Sequence, residues 1–170
     1  VGVRINEFAK RIRGSLVTPA IPRVIAFQAR LLLRAYEVLG GSLFGERVLE
    51  FGSGRASTFG ALLYAAGCND VVLSDLNRLK NDQQLRVRLS SLPWALSCEE
   101  DWPGRLSEAF AGFKKKLTNV CRCRNWKEFE GLTGYKYIAN IDATVVETYK
   151  PLRPRILLSI DTFEHIHEDM

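Results

Sequence analysis

Glu50, Gly52 and Gly54 lie within the run Val48-Leu49-Glu50-Phe51-Gly52-Ser53-Gly54-Arg55-Ala56-Ser57-Thr58. Their types and spacing suit ligand binding at the end of a strand. An apolar stretch ends in an acid, a glycine-spaced turn follows, and a helix is expected to begin at Ala56. Glycine lets a ligand approach the backbone where a β-carbon would collide with it. A carboxylate at the strand tip repels a pyrophosphate and attracts a cation. A nucleoside bearing an ammonium or sulfonium group meets both conditions, and S-adenosyl-L-methionine is such a molecule.

Three further acids close apolar runs. Asp75 follows Asp70 to Ser74 and stands 25 positions after Glu50. A carboxylate there can accept hydrogen bonds from both hydroxyls of a ribose, or it can form a turn ahead of Asn77. Asp142 follows Tyr135 to Ile141, and Asp161 follows Arg155 to Ile160. Imidazole titrates near neutral pH, so His165 is a candidate general base; a histidine that only orders its loop is the alternative. Glu164, His165, His167 and Asp169 are spaced poorly for metal ligation, and no metal is expected.

The elements that must position these residues alternate. A basic amphipathic helix is expected over Val1 to Gly14 and a second helix over Pro22 to Leu39, ended by Gly40 and Gly41. Strand Arg47–Phe51, helix Ala56–Ala66, strand Asp70–Ser74 and helix Arg78–Leu89 come next. The run Asp70–Ser74 shows little alternation, as suits a parallel strand covered on both faces. Residues 93–134 exceed the usual connection length and read as an insertion on the substrate side, with Ser107 to Leu117 helical. Strands over Tyr135–Ile141 and Arg155–Ile160 and a helix from Thr162 complete the pattern. Strand–helix alternation implies a right-handed, parallel α/β sheet. Residues 1–41 read as an N-terminal helical cap and 42–170 as the ligand-binding domain.

The composition permits one domain with a substantial core, at 170 residues. A net charge of +5 allows phosphate-bearing partners or an anionic membrane surface without requiring either. Cys68, Cys98, Cys121 and Cys123 lack paired zinc spacing and read as reduced thiols of a cytoplasmic protein. Arg30, Arg34 and Glu37 interrupt the apolar stretch from Val24 to Leu39, so no membrane span is expected.

Four segments in this order resemble class I S-adenosylmethionine-dependent methyltransferases of the small-molecule type. They are Glu50-Phe51-Gly52-Ser53-Gly54, Leu73-Ser74-Asp75-Leu76-Asn77, Asn140-Ile141-Asp142-Ala143 and Leu157 to Ile166. The resemblance runs from about Arg47 to His167 and implies a Rossmann-like sheet with helices on both faces. It implies that Glu50 contacts the methionine ammonium and that Gly52 and Gly54, with Phe51 and Ser53 between them, form the turn beneath it. Asp75 would bind the ribose, Leu76 or Asn77 would flank the adenine, and Asp142 with Ala143 would meet the adenine amino group. Ser159 and Asp161 would lie near the methionine end, and His165 in the wall of the site. The family fold has about seven strands, of which four can be placed. The chain begins with Val and stops within an expected helix, so it reads as the N-terminal, cofactor-binding half of such an enzyme.

The expected reaction moves a methyl group from the sulfonium to an O, N or C nucleophile by in-line displacement. Alignment and exclusion of water are its main needs. A small-molecule acceptor is expected, anionic if the basic segment Lys114 to Arg124 beside Trp126 lines its path. RNA is the less favoured acceptor. A non-catalytic S-adenosylmethionine-binding module is one rival. A nicotinamide-dependent oxidoreductase is another, opposed by Glu50 and by Ser57 in the place of a third glycine. Oligomeric state is left open by the sequence.

Overall fold

The computed structural model describes residues 20–53, 56–75, 80–98, 100–139 and 146–159. Helix α1 (Ala20–Val38) carries Pro22 in its first turn, where a missing N–H costs nothing. Ile21, Ile25, Ala29 and Leu32 recur along one face and are buried. Gly40 and Gly41 end the helix with φ of +74° and +91°, and their N–H groups bond the carbonyls of Glu37 and Tyr36.

Four described strands form one parallel sheet: β1 (Arg47–Phe51), β2 (Asp70–Asp75), β3 (Lys136–Ala139) and β4 (Ile156–Ser159), in the order β3-β2-β1-β4. The chain steps outward from β1 through β2 to β3, then returns to place β4 on the free side of β1. This is a Rossmann-like α/β arrangement. In such sheets ligands bind at the carboxyl ends of the strands, beside the point where the strand order reverses. Here that point is between β1 and β4.

One face of the sheet, presenting Val48, Val71 and Leu73, meets a thick helical layer. The layer comprises α1, α2 (Thr58–Ala65), α3 (Asp82–Leu96), α4 (Trp102–Ala109), α5 (Phe113–Val120) and α6 (Trp126–Thr133). The other face presents Leu49, Phe51 and Val72, covered by Tyr149 and Leu152. Those two side chains come from the short helix α7 (Val146–Tyr149) and the 3₁₀ turn Lys150–Leu152.

Helix α3 corrects the expected Arg78–Leu89. It runs on to Leu96 with Pro93 inside it. Leu85, Leu89, Leu92 and Leu96 continue a single buried stripe. Burial of Leu92 and Leu96, at about 1.5–3 kcal/mol each, outweighs the disruption by one proline near a helix end, about 3 kcal/mol. The single helix expected over Ser107 to Leu117 is in fact two. Phe110 turns extended and Gly112 adopts φ +72°, which frees Phe110 to pack edge-on against Tyr36 at 4.8 Å.

Residues 93–134, expected as an insertion, place Trp102, Leu106, Phe113, Leu117, Trp126 and Phe129 in the same core as α1 and α2. Two of their short helices, α4 and α6, carry side-chain N-caps. Asp101 accepts from the Gly104 N–H at 3.0 Å, and Asn125 accepts from the Glu128 N–H at 2.9 Å. Glu128 answers by accepting from the Arg124 N–H at 2.8 Å. The expected helices over 1–14 and from Thr162 lie outside the described residues.

Candidate functional site

Side chains alternate along a strand, so Val48 and Glu50 share a face, as do Leu73 and Asp75. Glu50 pairs in register with Leu73, which places Glu50 and Asp75 on the same face of neighbouring strands. Both are near their strands' carboxyl ends and both are buried, at 3% and 5% exposure. This arrangement follows from an apolar strand core that ends in an acid one residue before the turn in β1 and at the last residue of β2.

The turn after β1 is held by its own backbone. Gly52 has φ +70°, a conformation open to glycine. Its N–H donates to the Ser74 carbonyl at 2.7 Å, and the Ser53 N–H donates to the same oxygen at 3.3 Å. Ser53 is thereby placed to donate its hydroxyl to Asp75 Oδ2 at 3.0 Å. Tyr137 on β3 donates to the same Oδ2 at 2.9 Å. Its Cα pairs with Leu73, so its ring lies on the Asp75 face and its hydroxyl reaches diagonally up the sheet.

Glu50 has no comparable support. Its Oε2 finds no hydrogen-bond partner among the described residues. Burial pushes its carboxyl up to about 8, and the neighbouring Asp75 charge adds to the rise. At neutral pH Glu50 therefore holds a proton. A cation brought to this spot would release that proton and satisfy the buried acid, which otherwise sits at a cost.

Lys80 braces the outer side of the site. Its ammonium stands 4.6 Å from the Tyr137 ring centre and 5.2 Å from that of Trp126, and it forms an ion pair with Glu130. The Trp126 N–H donates to Asp82 at 2.8 Å, which ties the start of α6 to the start of α3. Below the turn, Phe51 faces the opposite side of the sheet and packs edge-on against Tyr149 at 4.9 Å. The Tyr149 hydroxyl pairs with that of Ser74 at 2.8 Å.

Of the residues singled out in the sequence, Glu50, Gly52, Ser53 and Asp75 come together. Phe51 contributes its backbone to the turn while its side chain supports the other face. Ser159 is in register with Phe51 on β4, on that same opposite face, and its buried hydroxyl has no partner among the described residues. Gly54, Leu76, Asn77, Asp142, Ala143, Asp161 and His165 lie outside the described residues. The basic segment does not frame Trp126 as a stacking platform. Lys114, Lys115, Arg122 and Arg124 are exposed, whereas Trp126 is buried.

Tyr137, Lys80 and Tyr149 were not among the expected site residues. Tyr137 had a weak signal, as an aromatic within an expected strand ending at an acid. Its contact with Asp75 depends on the β2–β3 register, which neither segment carries alone.

No described helix is long and apolar enough to cross a membrane. All four cysteines are free thiols. No protein-family model, curated protein or solved structure matches this chain.

Proposed function

We propose that this chain binds S-adenosyl-L-methionine and is the cofactor-binding part of a class I methyltransferase acting on a small molecule. The reading is carried by one observation: two buried carboxyls, Glu50 and Asp75, share a face at the carboxyl ends of adjacent parallel strands, and Glu50 Oε2 is orphaned. An orphaned acid beside a second acid fits a ligand with a positive charge and hydroxyl donors.

In this reading Glu50 gives up its proton and holds the methionine ammonium. Asp75, steadied by Ser53 and Tyr137, accepts from the ribose hydroxyls. Gly52 lets the turn lie close to the ligand without a β-carbon. The cofactor supplies an electrophilic methyl carbon. The chain's task is to orient it and keep water out, which requires no acid or base beyond what the acceptor demands. The free thiols support a reducing compartment such as the cytoplasm.

Calorimetry with S-adenosylmethionine, S-adenosylhomocysteine and NAD⁺ tests the proposal. Binding of the two adenosyl ligands, lost in Glu50→Ala and Asp75→Ala, is expected. Tighter binding of NAD⁺, or no adenosyl binding by the unaltered chain, would overturn it.

A further inference from the structure

The opposite end of the sheet carries a concavity. It has a volume of about 440 Å³, within the ~300–1,000 Å³ of ordinary small-molecule sites. It lies where α1 and α2 end and the strands begin. Tyr36, Tyr64, Phe110 and the exposed Phe44 supply aromatic surface, and Asn69 and Lys116 supply polar tips. A five-residue strand spans roughly 16 Å, so a ligand here would sit well away from Glu50.

The polar groups of this cavity share one character. No acidic residue lines it. The hydroxyls of Tyr36 and Tyr64 and the ammonium of Lys116 have no hydrogen-bond or ion-pair partner among the described residues. Lys116 is held against Gly67, where an added Cβ would stand 3.3 Å from its Nζ.

Gly67 follows the end of α2, whose last carbonyls could have consumed that ammonium. Three of them are already engaged. Leu62, Leu63 and Tyr64 accept from the N–H groups of Ala66, Cys68 and Gly67 at 2.9, 3.0 and 3.0 Å. Cys68, also in the lining, is no nucleophile, since burial raises its thiol to about 12.

We infer that this cavity is an accessory binding site for a small aromatic carboxylate, its ring among Tyr36, Tyr64 and Phe110 and its charge on Lys116. A single ammonium in a lining that holds no carboxylate matches a monoanion. A phosphate dianion would bring a second charge that nothing here balances. The inference does not depend on what binds at Glu50.

The test is an amide-resolved NMR titration of the whole chain with 3-phenylpropionate, 3-phenylpropanamide and phenyl phosphate. The carboxylate is expected to give saturable shifts at Gly41, Gly67 and Asn69 and none at Gly52 or Ser53. The neutral amide is expected to bind at least tenfold more weakly. Lys116→Met keeps the aliphatic stem and the fold, and is expected to weaken the carboxylate tenfold or more while leaving the amide unchanged. No saturable shift, equal binding of the amide, undiminished binding by Lys116→Met, shifts centred on Gly52, or tighter binding of phenyl phosphate would each overturn the inference.

Discussion

Glu50→Gln isolates the electrostatic cost of the buried acid. The two side chains have nearly the same shape, but Gln cannot ionise. In the unfolded chain Glu50 releases its proton near its ordinary 4.5, whereas in the folded chain it keeps it up to about 8. Between those values the folded state binds one proton more than the unfolded state. Stability therefore falls as pH rises through this window, at about 1.4 kcal/mol per pH unit. Below it both states are protonated and the penalty is absent. Above it both are ionised and the penalty is constant. The gap between 4.5 and about 8 corresponds to about 5 kcal/mol if it is fully expressed. That is comparable with the whole stability of many domains, ~5–15 kcal/mol. Urea unfolding followed by circular dichroism at pH 5, 6, 7 and 8 measures it. Other groups titrate in both proteins, so the informative quantity is the difference between them. The variant is expected to match the parent near pH 5 and to exceed it by several kcal/mol at pH 8. Parallel stability curves across this range would refute the reasoning, because they would mean that Glu50 is as well solvated in the fold as outside it.

An ammonium group of the ligand must meet Glu50 as a carboxylate, so S-adenosylhomocysteine binding at pH 7 is expected to release about one proton; calorimetry in phosphate and in Tris reads this as a buffer-dependent enthalpy, absent in Glu50→Gln. Tyr137→Phe keeps the ring under Lys80 and removes one hydrogen bond to Asp75, worth about 1.5–3 kcal/mol for a charged acceptor. Adenosyl ligands are expected to bind roughly 10- to 100-fold more weakly, with an unchanged circular dichroism spectrum, and an unaltered affinity would remove Tyr137 from the site. Trp126→Ala is expected to cost about 3–5 kcal/mol in urea unfolding, as for a core residue, and a loss under about 1 kcal/mol would mean that α6 is peripheral. Gly52→Ala forces a side chain onto φ +70° and is expected to cost about 1–2 kcal/mol, read from the same assay.

The strands were legible because each pairs an apolar run with a punctuating acid or glycine. Arg47–Phe51 is legible to the residue, and Asp75 stands out as the acid that closes the next apolar run. Local signals failed where tertiary burial decided. Pro93 suggests an ending, yet the Leu85-Leu89-Leu92-Leu96 stripe carries α3 past it. Ser107 to Leu117 has no strong breaker before Gly112, and the turn there serves Phe110. Trp126 beside arginines resembles a surface feature in one dimension, but Phe129 and Tyr137 enclose it in three. Tyr137 reaches Asp75 across 62 residues of sequence, and no local pattern encodes that distance.

The place of β4 beside β1 bears on how the chain is made. Val48 pairs with Ile156, and Arg47 donates from its guanidinium to the Leu152 carbonyl at 2.7 Å. These partners leave the ribosome more than a hundred residues after β1. At ~5–20 residues per second, the growing polypeptide carries an unmatched β1 edge for roughly 5–20 s. The α-helical layer can assemble on one side during that interval, but the interior edge cannot close. Until β4 arrives, that open β1 edge is a place where another strand can pair.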